Sequence, residues 1–127
     1  MVDQNTSSTG GGSAAWALFD TLGQAHSDAS NDRAVPEVKL LDVREGVRII
    51  RIAFRAGDVM ASHKAPGPIV LLGQTGDVAV RIGEDDDADA EDVTLRPGSA
   101  LHIDTSKVHS LSATEPATVT LLLLMGS

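Results

Sequence analysis

The residues best equipped for chemistry are two histidines far apart in the chain. His63 lies in GDVMASHKAPGPIVLLGQTG (57–76) and His109 closes RPGSALHIDTSKVH (96–109). Imidazole titrates near neutral pH and is the commonest side-chain ligand of divalent ions. A pair meeting in one pocket could therefore move protons, bind an ion or hold the polar end of a small molecule. His102 and Asp104 stand close to His109 and are the candidates to complete a ligand set, with Asp104 better suited to accepting backbone hydrogen bonds at a turn. His26 is expected at the surface. No nucleophile system accompanies them. The chain has no Cys, no G-x-S-x-G elbow, and no G-K-[ST] after its early GGGS.

Strands must position these histidines. From Val38 onward the chain breaks into short β-branched runs: VKLLDV, VRIIRIAF, VMASH, IVLL, VAVRI, VTL, ALHI, VHSLSA and TVTLLLLM. Gly, Pro and Asp separate them, the pattern of an all-β sandwich or barrel. Val78, Val80 and Ile82 share one face, and so do His109, Leu111 and Ala113. By the same alternation His102 faces away from Leu101 and Ile103. Gly73, inside a strand run, marks a bulge or the close approach of a neighbour. Arg48, Arg51, Arg55 and Arg81 decorate outer faces, unless one turns inward to meet an anionic substrate.

Ahead of the strands, AAWALFDTLG predicts a helix over 13–25, capped by Ser13 and stopped near Gly23, with Trp16, Phe19 and Leu22 on one face. Residues 1–12 are polar and read as a flexible tail, leaving a single domain over 13–127 with its barrel at 38–125. The run GEDDDADAED (83–92) reads as a solvated hairpin tip; it lacks the Gly and terminal Glu of a calcium loop. A basic partner protein for this acidic stretch, 84–92, is the least specific functional reading.

The net charge of −8 opposes nucleic acid and anionic membranes as partners. The polar N-terminus has no signal-peptide pattern and TVTLLLLM is too short to span a bilayer, so a cytoplasmic location is expected. With only Trp16, Phe19 and Phe54 as aromatics, the core must be aliphatic.

These residues resemble a small single-domain cupin of the RmlC-like superfamily, in a subgroup with a His-x-Ala-Pro-Gly-Pro turn. The family's first motif begins at Gly57, meets His63 at a ligand position and closes on Gly76. Ala65 stands where the family has its second His, and Ile69 where it has its Glu. The second motif begins at Gly98 and places His109 on its ligand position, with Asp104 for the family's Pro and Ser106 for its Gly. The resemblance implies a double-stranded β-helix (a jelly-roll barrel) with a short N-terminal helix, and commonly a homodimer. It implies a pocket lined by His63, Ala65, Ile69, His109 and Leu111. A metal there would rest on His63 and His109, with His102 as candidate third ligand. Ala65 and Ile69 offer no lone pairs, so a divalent transition metal would be held weakly. Two functions follow: a cupin binding a small molecule in its barrel, or a metal-dependent oxygenase or isomerase of a small carbonyl or enol compound.

Overall fold

The computed structural model describes residues 15–28, 33–84 and 86–126. The tail expected over 1–12 and the first two residues of the expected helix lie outside these. The described residues form nine strands: β1 (Glu37–Arg44), β2 (Val47–Phe54), β3 (Val59–His63), β4 (Ile69–Thr75), β5 (Val78–Ile82), β6 (Glu91–Leu95), β7 (Ala100–Ile103), β8 (His109–Ser112) and β9 (Ala117–Leu124). They pair antiparallel in two sheets, one ordered β1-β2-β9-β4-β7 and the other β3-β8-β5-β6. Along β2, β4 and β5 core residues recur at every second position: Ile52 and Phe54, Ile69 and Leu71, Val78 and Val80. Ile52, Leu71 and Val119 face Val80, Leu95 and Leu111 across a dry aliphatic core. At about 25 cal/mol per Å² of apolar surface removed from water, such burial is the main driving force for closing the barrel.

Two corners set where the site lies. At the first, the chain leaves β2 for the other sheet. Asp58, 2% exposed, accepts hydrogen bonds from Arg55 N (2.7 Å) and Arg55 Nε (3.1 Å). Burial alone would raise the Asp58 pKa; the Arg55 backbone and guanidinium bonds outweigh it and hold the carboxyl below its usual value. Gly57, at φ +89°, donates to Ala113 O, which fastens the start of β3 to the end of β8. At the second corner, Gly73 N donates to Ser99 O and Gly98 N to Gly73 O, both at 2.9 Å. The β4–β9 register shifts between Gly73 and Thr75. A Cβ on Gly73 would overlap the Arg96 carbonyl, so this glycine marks both a bulge and a close approach.

The helix expected over 13–25 does not form across its described part. Residues 15–21 carry no regular element, and a single turn follows, in which Gln24 N donates to Thr21 O. An isolated helix this short is marginal. Arg51, on the outer face of β2, is 2% exposed and donates to Gln24 O (2.8 Å), Ala25 O (2.9 Å) and Glu37 Oε1 (2.9 Å). It is a buried clamp rather than the surface decoration expected of it. Glu37 also accepts from Ser27 Oγ at 2.6 Å; the Ser27 bond, then Arg51, bring its pKa down to about 2. His26, expected at the surface, is buried under this segment at 8% exposure. Trp16, expected to lie over a sheet face or across a subunit interface, is 59% exposed.

Gly73→Ala is expected to lower stability by about 3 kcal/mol, because the methyl must displace backbone rather than a flexible side chain. Urea unfolding measures it, and an unchanged midpoint would contradict this account of the corner.

Candidate functional site

His63 ends β3 and His109 begins β8, and the two residues are direct cross-strand partners. Their being on the same face depends on one irregularity. Met60 pairs with Leu111 and His63 with His109, so three steps along β3 match two along β8. That extra residue is a β-bulge. Without it Ser62 would oppose His109, and His63 would turn to the outside. With it the rings meet at 4.4 Å between centroids, edge to face at 61°.

Each ring is anchored by the same device. His63 Nδ1 lies 2.8 Å from Ala61 O, and His109 Nδ1 lies 3.0 Å from Lys107 O. A carbonyl oxygen only accepts, so each Nδ1 carries the proton and donates. In the neutral rings Nε2 is then the bare acceptor. His109 is 1% exposed, and its pKa is pushed down by burial, against an upward pull from the Lys107 carbonyl and with a lesser downward push from His63. His63 is solvent-exposed.

The pair lines an apolar cavity of about 220 Å³. Ile69, 1% exposed, and Ala65 form part of its wall at the positions where the cupin pattern has donors. Val38, Ile50, Met60, Lys64 and Leu121 also line it. Sequence reasoning left out these last five, although Ile50 shares the β2 face of the core residues Ile52 and Phe54. Leu111 was expected in the lining and is instead in the sealed core, 2% exposed, one position deeper on the His109 face. His102 is not with the pair. It lies on edge strand β7 of the opposite sheet, paired with Val70 and 3.9 Å from Asp104, with its side chain 55% exposed. Alternation had placed it on the face opposite Ile103, and burial of Ile103 at 3% settles which face is core. Ser106 sits at φ +69°, the backbone form for which the cupin pattern has Gly.

Among the described residues no group of three His, Cys, Asp or Glu side chains converges. The donor set is two imidazoles walled by Ala65 and Ile69, and it does not meet what a tightly held divalent ion requires. The acidic hairpin tip is exposed and folded on itself: Asp87 N donates to Glu84 O, and Asp89 N to Asp87 Oδ1.

No family model matches the chain, and no curated protein matches it. Solved structures do. A protein with a double-stranded β-helix domain from Klebsiella pneumoniae superposes with a TM-score of 0.64 at 16% identity, covering 76% of this chain and 83% of that one. A cupin superfamily protein from Desulfitobacterium hafniense gives 0.63 at 14%, covering 76% and 84%. A cupin-2 domain protein from Shewanella frigidimarina gives 0.57 at 13%, covering 77% and 87%. At such identities the likeness speaks for the fold. The chain forms a cupin-type domain, an all-β double-stranded β-helix. No helix among its described residues is long and apolar enough to cross a membrane.

Because His109 binds its proton less readily folded than unfolded, the unfolded state takes up more protons below the ordinary histidine pKa of 6.5. The stability it contributes is full above that value and falls as pH drops through it toward the folded pKa. Urea unfolding across pH 8 to 5 should show wild type losing stability relative to His109→Asn. Parallel profiles would contradict the assignment of a neutral, desolvated His109.

Proposed function

We propose that this cupin domain binds a small, largely aliphatic molecule bearing a hydroxyl or enol group in the His63–His109 cavity. The observation that carries the reading is the pair of Nδ1–carbonyl anchors, which leaves Nε2 of each neutral ring as a hydrogen-bond acceptor beside an apolar wall. A ligand O–H is the matching donor. Carboxylates would be bound through these rings only after protonation, which burial opposes at His109. The size supports a small ligand: 220 Å³ is the room of about seven waters at ~30 Å³ each.

The same anchors also orient ring nitrogens for metals. That favours, as a second reading, an exchangeable divalent ion on two histidines, too loosely held to serve as a resident cofactor. We attach no reaction step to such an ion.

The test uses cyclopentanol as a neutral probe followed by NMR shifts of the Ala65 and Ile69 methyl groups in the cavity wall. Wild type is expected to bind it in the millimolar range. His109→Phe, which keeps the bulk but removes the acceptor, should weaken it about five- to tenfold, as expected for one lost hydrogen bond. Equal binding by both proteins would sink this reading. For the ion, equilibrium dialysis against Zn²⁺ should give weak uptake by wild type that His109→Phe reduces; uptake unaffected by that change would place the ion elsewhere.

A further inference from the structure

We infer that the ligand also carries a carboxylate, held by Arg48 in a second cavity that adjoins the histidine cavity. This inference rests on the reading just given and deepens it. The second cavity, about 410 Å³, is lined by Arg48, the Pro66–Gly67–Pro68 turn, Thr105, Leu123 and Met125, with Leu124 and Gly126 completing it. Pro66 and Leu123 line both cavities, so the two adjoin at a single turn and a single side chain.

Register puts the guanidinium on the inner side. Arg48 pairs with Leu123 and Ile50 with Leu121 on β9. Directly opposed residues project to the same face, and Leu123 is a core residue. Arg48 therefore follows Ile50 and Ile52, both in the histidine cavity, along one face of β2. Two residues of strand separate Arg48 from Ile50, about 7 Å.

Charge supplies the second, independent observation. Arg44, Arg51, Arg55 and Arg81 each pair with a carboxylate. Among the described residues Arg48, Lys64, Lys39, Arg96 and Lys107 show neither an ion pair nor a side-chain hydrogen bond, and of these Arg48 and Lys64 line the two cavities. In a chain with a net charge of −8, two cations left without acids beside an apolar cleft are a local reversal of sign. A guanidinium offers a planar fork that matches a carboxylate in two parallel hydrogen bonds. The Thr105 hydroxyl can add a third donor.

The wall is built to stay in place. Leu124 N donates to Pro68 O at 2.9 Å, and a side chain on Gly67 would collide with Leu124 O. The turn is thus fastened to β9 with its backbone in contact, and the prolines fix its shape. The ligand class that fits both ends is a short aliphatic hydroxy acid, or an oxo acid in its enol form. Its hydroxyl donates to His109 Nε2 and its carboxylate lies on Arg48.

The experiment compares 4-hydroxypentanoate with 2-pentanol, the same chain without the acid, by NMR titration at low salt. Wild type is expected to bind the acid about tenfold more tightly than the alcohol, the scale of a charge-assisted pair at a partly exposed site. Arg48→Gln should remove that advantage and leave 2-pentanol binding unchanged. Arg48→Lys should restore only part of it, since an ammonium cannot form the fork. If the alcohol binds but the acid gains nothing, or keeps its gain in Arg48→Gln, this inference is overturned while the histidine reading stands. If neither probe shifts the His109 ring of wild type, both are overturned.

Discussion

The site depends on one inserted residue in β3. The ladder between β3 and β8 advances by three residues on one side and two on the other, between Met60 and His63. A side chain's face alternates at every step of a strand, so the insertion decides whether His63 meets His109 or solvent. The same bulge supplies the Ala61 carbonyl that receives the His63 Nδ1 proton. The irregularity that brings the ring inward also fixes its tautomer. On the other strand, Lys107 does the same for His109 from two residues upstream.

Around that pair the chain has replaced donors with hydrocarbon. Ile69 and Ala65 give the cavity an apolar wall where the cupin pattern would grip an ion. Low polarity strengthens any hydrogen bond made there and raises the cost of an unpaired charge. This explains why His109 is held neutral while the cations of the site, Arg48 and Lys64, keep to the exposed rim. The apolar interior and cationic rim divide the work between burial of a carbon chain and recognition of an anionic end.

Much of the fold was legible because strand alternation and turn residues are local signals. VRIIRIAF, VMASH, VAVRI and ALHI are strands with those bounds. Histidines at two family motif positions pointed to a meeting that β3–β8 pairing brings about. The bulge was not legible, because counting by twos from Met60 sends His63 to the wrong face. The described part of the helix expected over 13–25 carries no regular helix for a different reason. Its propensity was real but local, and with Trp16 and Leu18 exposed no buried apolar face holds so short a helix together. His102 was misassigned as a candidate ligand because its face could be chosen only once Ile103 was known to be core. Arg48, expected on an outer face, shares by parity the face of Ile50, Ile52 and Phe54.

The most direct measurement is long-range 1H–15N correlation of the imidazole rings at pH 8, which reports which nitrogen bears the proton. The account predicts His63 and His109 both protonated at Nδ1, with bare Nε2. His26 serves as an internal control of opposite sign, since its Nδ1 accepts from Asp28 N at 2.8 Å. A His109 ring protonated at Nε2 would contradict the carbonyl anchor, and with it the acceptor on which ligand recognition is built.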